Sequence, residues 1–241
     1  FSVYGNSVLD LAVFGTAATG LFLGRHIWAT RRVQQARRSV PLVIGGWGTR
    51  GKSGTERLKA AVMSGLGYGI VSKTTGCEAM FLFAHPFMQT REMFLFRPYD
   101  KATIWEQSHV LRLAARLGAD VFLWECMALT PSYVEVLQRH WVRDDFSTIT
   151  NTYPDHEDIQ GPAGINVPEV ISIFTPTRGR LVTTEEIMAP IVEEESRRQG
   201  TSLRKVTWMD SMLLAPDALR RFPYDEHPSN IALVLGLAAE L

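Results

Sequence analysis

The stretch Leu42-Val43-Ile44-Gly45-Gly46-Trp47-Gly48-Thr49-Arg50-Gly51-Lys52-Ser53 holds the residues whose types and spacing do recognisable chemistry. From Gly46 to Ser53 it completes G-x-x-x-x-G-K-S, the pattern of a phosphate-binding loop. Glycines let backbone N–H groups close on phosphate oxygens, and the N-terminus of a following helix favours anions. Lys52 is placed to reach terminal phosphates and Ser53 to hold Mg²⁺. The short apolar run before the glycines reads as a strand. Glu56 to Leu66 reads as a helix, with Leu58, Ala61, Val62 and Leu66 at helical spacing. The alternative is an ordinary glycine turn, but strand, full motif and helix together argue for phosphate.

Further polar groups fall at the ends of other apolar runs. Gly69 to Ser72 reads as a strand that runs into Lys73-Thr74-Thr75-Gly76, where hydroxyls can ligand a cation or a phosphate. Thr-Thr-Gly is also common turn chemistry. Val121 to Trp124 is a continuous apolar strand that delivers Glu125 at its carboxyl end, where ligands bind in open α/β sheets. Glu125 therefore faces a nucleotide-bound metal, or else caps the helix that Thr130-Pro131 opens. Phe146 to Asn151 repeats the arrangement and is followed by Asp155, His156 and Asp158, a set that spacing alone leaves open to a surface cluster.

The elements that must position these groups alternate strand and helix. Ile104 to Leu117 is amphipathic and closed by Gly118, Arg180 to Thr183 and Leu203 to Trp208 read as strands, and residues 228–241 form a final apolar helix. Glu185 to Arg198 reads as an acidic helix with a solvated face, and residues 77–101 show no clear periodicity and read as either a substrate-facing insertion or an irregular surface loop. This order implies an α/β fold, a mainly parallel sheet with helices on both faces. The 241 residues are 46% hydrophobic, ample for one core. Lys+Arg and Asp+Glu are both 25, so no global charge argues for nucleic acid. Cys77 and Cys126 make no disulfide framework or zinc spacing, which fits a reducing compartment.

The first 24 positions carry one charge, Asp10, and are then followed by Arg25, Arg31, Arg32, Arg37 and Arg38. Length and flanking charge predict a membrane helix with everything downstream in the cytosol. A signal peptide would carry its basic residues before the apolar run. A buried or interfacial helix is the alternative. Gly20 to Gly24 supplies G-x-x-x-G, and Asp10 is expected inside the spanning helix, on one face with Phe14, Ala17 and Leu21 against a partner protein. The chain opens at Phe1, so residues before it are expected. Two domains follow: residues 1–38, a membrane anchor helix with a basic linker, and residues 39–241, the ATP-binding unit.

Taken together, residues 41–241 resemble the Mur ligase superfamily, which joins a carboxylate to an amine using ATP. Gly48 to Ser53 resembles its phosphate loop, Glu125 in Trp124-Glu125-Cys126-Met127-Ala128 its metal-binding glutamate, and Thr150-Asn151 through Asp155-His156-Glu157-Asp158 the segment whose histidine ligands magnesium. His227-Pro228-Ser229-Asn230 resembles the element whose asparagine meets adenine. Within the superfamily, Lys73 to Gly76, Arg97-Pro98 with Glu106-Gln107, and Glu125 to Ala128 make the chain most similar to the ligase subunit of bacterial poly-γ-glutamate synthases of the capsule type.

The resemblance implies ATP and Mg²⁺ as cofactors. Gly48, Thr49, Arg50, Gly51, Lys52, Ser53, Gly54 and Asn230 would bind nucleotide; Ser53, Thr75, Glu125 and His156 would bind metal; Lys52, Glu125 and His156 would be catalytic. The reaction implied is activation of a glutamyl carboxylate as an acyl-phosphate, then attack by an amine. Implied partners are glutamate or a poly-γ-glutamate chain, small integral membrane subunits and a possible homo-oligomer, at the bacterial inner membrane with the catalytic domain cytoplasmic. A membrane-tethered ATPase that drives transport or assembly without bond formation is the rival reading, and an ATP-binding scaffold a third. Two departures stand out. Classical members carry a carbamylated lysine after the Asp-His motif, and no lysine occurs here between Lys101 and Lys205. Their C-terminal domain closes over ATP, and the sequence ends where it would begin, so later residues or a partner are expected to complete the site.

Overall fold

A computed structural model of the protein describes residues 5–76, 78–97, 102–162, 164–222 and 224–241. Helix α1 (Val8–Ser39) leads into strand β1 (Leu42–Trp47), and α2 (Lys52–Gly65) follows the phosphate loop. Then come β2 (Ile70–Lys73), β3 (Met80–Ala84), β4 (Arg91–Phe94), α3 (Ile104–Arg116) and β5 (Val121–Glu125). After β5, α4 (Pro131–Glu135) runs on as a π-helix (Val136–Trp141) into β6 (Phe146–Ile149), α5 (Glu157–Gln160), α6 (Asn166–Ser172) and β7 (Arg180–Thr183). The chain closes with α7 (Ala189–Gln199), β8 (Ser202–Lys205), α8 (Trp208–Met212), α9 (Pro216–Leu219) and α10 (Pro228–Ala238).

Among the described residues, eight strands form one sheet in the order β4-β3-β2-β5-β1-β6-β7-β8. Every neighbour pair from β2 to β8 is parallel, while β3 and β4 add antiparallel at one edge. Alternate strand residues feed two cores, as a period of two requires. Val43, Phe122 and Trp124 face α1, α3 and α6, packing with Val33, Leu111 and Val170. Ile44, Val121 and Leu123 face α2 and α10, packing with Met63, Leu233 and Leu237. The expected α/β sheet with helices on both faces is thus present.

Four local readings are corrected or sharpened. Within the stretch that shows no clear periodicity, Met80–Ala84 and Arg91–Phe94 pair as an antiparallel hairpin with Phe81, Leu82 and Ala84 buried. The strand expected over Leu203–Trp208 ends at Lys205, since Thr207 and Asp210 form a capping box that opens α8. The acidic helix starts at Ala189, and Glu185 is a buried acceptor rather than part of a solvated face. Finally, α1 begins at Val8 with Ser7 as its cap, so Asp10 lies in the first turn, where it closes that capping box, rather than deep inside the helix.

α1 is the one described helix long and apolar enough to cross a membrane by length and composition. Its last turns belong to the folded domain: Val33, Ala36 and Val40 are buried in the core. Arg37 fixes that end, donating to the Arg143 and Val40 carbonyls and pairing with Asp145 at 2.7 Å.

Candidate nucleotide and metal site

The site assembles at the carboxyl ends of β1, β2, β5 and β6. β1 lies between β5 and β6 although β2 follows it in sequence, so the chain reverses direction across the sheet here. Such a switch point opens a crevice above the strand ends. α2 starts at Lys52, inside the motif and earlier than the helix expected from Glu56, so its N-terminus points straight into that crevice.

The phosphate loop is held by the end of β6. Asn151 Oδ1 accepts from the Thr49 hydroxyl at 2.6 Å and from the Arg50 backbone N–H at 3.0 Å, while its carbonyl accepts from the Thr49 N–H at 3.0 Å. The Thr150 hydroxyl donates to the Arg50 carbonyl at 2.7 Å. Gly48 has φ +138°, and a Cβ there would stand 2.0 Å from Thr150 Oγ1. Gly51 has φ +82°, and its Cβ would stand 2.7 Å from Asn230 Oδ1. Only glycine meets both conditions, a left-handed backbone and a close neighbour. Asn230, at the start of α10, therefore lies against the loop. Gly54 faces Glu226, which also accepts from Asn230 Nδ2 at 2.7 Å.

Three of the four expected metal-shell residues converge. Glu125 Oε2 accepts from the Ser53 hydroxyl and from the Thr75 backbone N–H, each at 2.8 Å. Glu125 is fully buried, and its Oε1 has no hydrogen-bond partner among the described residues. An ionised oxygen buried without a donor is costly unless a cation meets it. His156 lines the same cleft, of about 250 Å³, with Lys52, Thr75 and Glu125. It sits in a left-handed backbone conformation at the cap of α5. Asp155 beside it pairs with Arg50 at 3.2 Å. Lys52 Nζ donates to the Thr49 carbonyl at 3.1 Å. Burial holds its ammonium below the ordinary lysine value, opposed by the charges of Glu125 and Asp155.

These residues fit a nucleotide with a hard cation. Among the described residues no three His, Cys, Asp or Glu side chains gather as a metal cage. Mg²⁺ suits such a place, since it takes one or two carboxylates and fills its remaining positions with phosphate oxygens and water. A second cleft of about 380 Å³ opens on the far side of Gly51, lined by Arg50, Asn151, Glu185, Trp208, His227 and Asn230. Glu185 is fixed there by the backbone and hydroxyl of Thr152, at 2.6 and 2.9 Å.

Several supporting residues carry no role readable from sequence. Lys73 is buried, with its ammonium 2.5 Å from Glu106 Oε1. Arg97 closes on the other side of Glu106 at 2.8 Å and reaches the Thr75 carbonyl at 3.4 Å. Gln107 donates to the Glu125 carbonyl at 2.9 Å. The Lys73, Arg97 and Glu106-Gln107 motifs thus brace the two strand ends that present Thr75 and Glu125. Beneath the loop, the Lys59 and Glu56 side chains pair at 2.5 Å with no exposure, and burial pushes the Glu56 carboxyl up to about 8. Cys126 is a free buried thiol, pushed by burial up to about 12. Cys77 and Pro98 lie outside the described residues.

No family model matches the chain. The capsule biosynthesis protein CapB of Bacillus anthracis is 32% identical over 215 residues, 89% of this chain and 45% of that protein. The PGA synthase CapB of Bacillus subtilis is 30% identical over 224 residues, 93% of this chain and 56% of that protein. This chain therefore spans about half the length of these relatives. Among solved structures, E. coli FolC in complex with DHPP and ADP superposes with a TM-score of 0.54 at 16% identity, covering 73% of this chain and 45% of that one. The bifunctional folylpolyglutamate synthase/dihydrofolate synthase of Yersinia pestis gives 0.51 at 16% identity, covering 73% and 47%. Those likenesses show the fold, and over most of its length the chain is similar in sequence to the CapB proteins.

Proposed function

We propose that this chain is the nucleotide-binding part of an ATP-dependent amide ligase of poly-γ-glutamate synthesis. The observation that carries the reading is the Ser53–Glu125–Thr75 node, with a buried, unpartnered carboxylate oxygen beside a complete phosphate loop. The sequence relatives, one named a PGA synthase, supply the substrate class. Bound ATP would supply the γ-phosphoryl group that activates a glutamyl carboxylate as an acyl-phosphate with release of ADP, and attack by an amine would form the amide and release phosphate. The chain's own residues position and neutralise. Gly48 to Gly54 would cradle the phosphates, Lys52 would meet the transferring charge, and Ser53, Thr75, Glu125 and His156 would hold the cation. Asn230 and the cleft beyond Gly51 take the adenine side.

We further propose that α1 anchors the chain in the bacterial inner membrane, with Arg25, Arg31 and Arg32 on the cytoplasmic side. Small integral membrane subunits and a second copy of the chain are the partners this placement favours.

The decisive experiment is ADP release by the full chain with its membrane subunits, with and without glutamate or γ-linked glutamate oligomers. The ligase reading expects release to rise with the acceptor and to appear as new amide bonds. Equal release without any amino acid would instead support an ATPase that drives conformational change. ATP binding with no turnover under any condition would leave only a scaffold.

Glu125→Gln is expected to raise the Mg²⁺ concentration for half-maximal activity by about tenfold to a hundredfold, the usual scale for losing one metal-site group. Nucleotide binding should weaken less, because the amide keeps the shape and removes only the charge a hard cation prefers. An unchanged Mg²⁺ titration would return Glu125 to a purely structural part.

A further inference from the structure

The direction of α1 fixes which edge of the sheet meets the membrane. α1 ends at Ser39, just before β1, and α3 ends at Arg116, just before β5. β1 and β5 are parallel neighbours in register, Leu42 against Val121. Both helices therefore arrive at the amino-terminal edge of the sheet. They also lie side by side, with Arg32, Gln35, Ala36 and Ser39 across from Arg112, Ala115 and Arg116. The other end of α3 is at the opposite edge, where Gln107 donates to the Glu125 carbonyl. α1 thus climbs past the core toward the carboxyl-terminal edge, the edge that carries the phosphate loop, Thr75 and Glu125.

We infer that the nucleotide cleft faces the bilayer, an inference that rests on the anchor reading of α1. Matching Ser39 to Arg116 and counting back puts Thr30 level with Gln107 and Glu125. Gly24 then stands roughly 10 Å higher at about 1.5 Å per residue. From Val8 to Gly24 the helix is exposed all round, with Leu11, Phe14, Leu21 and Phe22 each more than half accessible, and it runs roughly 25 Å. That is most of a hydrocarbon core of about 30 Å, and Arg25 follows at the depth of anionic headgroups, with Arg31 and Arg32 roughly 10 Å lower, level with the site edge. Nothing between Gly24 and the site edge is long enough to turn the cleft away, because the helix is continuous to Ser39.

The same edge carries an apolar cavity of about 530 Å³, lined by Trp105, Met127, Leu129, Tyr133 and Ile159 among others. Trp105, Tyr133 and Ile159 are exposed at its rim. Trp and Tyr at a lipid-facing edge are the residues that interfacial depth selects. A growing polymer would then leave the cleft directly at the membrane surface.

The test places one fluorescent label at a time in a full chain carrying Cys77→Ser, with Cys126 left buried. One variant is Ile159→Cys at the cleft edge and the other Ser202→Cys at the amino-terminal edge, each reconstituted in vesicles of equal parts phosphatidylcholine and phosphatidylglycerol. The edges lie roughly 20 Å apart, the length of a six-residue strand. Headgroup nitroxide lipids are expected to quench the Ile159→Cys label several-fold more than the Ser202→Cys label. Equal quenching, or stronger quenching at residue 202, with the protein still floating with the vesicles, would overturn the orientation alone. Release of the protein from vesicles by carbonate would overturn the anchor reading and this inference with it. Neither outcome touches the ligase reading, because no readout depends on turnover.

Discussion

Lys52→Ala is expected to lower ATP turnover by about a hundredfold to a thousandfold, or ~2.7–4 kcal/mol, the cost of removing one preorganised donor from a developing charge. The ammonium lies in the cleft with Thr75, Glu125 and His156, and among the described residues its one hydrogen bond is to the Thr49 carbonyl at 3.1 Å. Removing it therefore costs the fold about 1 kcal/mol or less. The two readouts separate cleanly: ADP release should collapse while the thermal melt stays nearly in place. Lys52→Arg keeps the charge but changes its reach and shape, so it should restore little. Near-normal release by Lys52→Ala would remove this residue from phosphate chemistry. Parallel losses in melt and turnover would mean that the loop, not the charge, had been lost.

The loop was legible because its chemistry is local: eight consecutive residues carry the glycines, the cation and the hydroxyl. Glu125 was legible as a strand-end carboxylate, and its meeting with Ser53 and Thr75 follows once β1, β2 and β5 are neighbours. The hairpin of β3 and β4 was hidden because Met80-Phe81-Leu82-Phe83-Ala84 is apolar throughout, so the period of two never shows. Its partner β4 is fully exposed and tied down by charge, with Arg57 gripping Glu92 at 2.7 and 3.1 Å. Two misses did carry a readable signal. Ser7 and Asp10, like Thr207 and Asp210, have the three-residue spacing of a capping box, which marks a helix start in each case. Glu185 carried none: an acidic residue ahead of an acidic helix turns inward only because Thr152 and Met188 donate to it, and those partners are distant or unremarkable in sequence.

The largest loss of stability is expected from Glu106→Gln, about 3–5 kcal/mol, the usual cost of stripping one partner from a buried ion pair. Lys73 has no exposure, and its ammonium meets Glu106 at 2.5 Å, so the amide leaves a buried cation without a counter-charge. Arg97 loses the same partner. Burial already holds the Lys73 pKa below its ordinary 10.5, and losing Glu106 pulls it further down. The unfolded variant then binds more protons than the folded one between the depressed value and 10.5, so its stability rises with pH across that window. Thermal melts should therefore show a deficit that narrows as the solution is made more alkaline. Adding Lys73→Met removes the stranded charge and should recover most of the loss, whereas a packing defect at Glu106 would not respond. A single-variant loss under about 1 kcal/mol, or no rescue by Lys73→Met, would show that the pair does not hold this corner. If the pair does hold it, Mg²⁺ affinity should weaken in the same variant, because Arg97 reaches the Thr75 carbonyl and Gln107 the Glu125 carbonyl from the strut that Glu106 fixes.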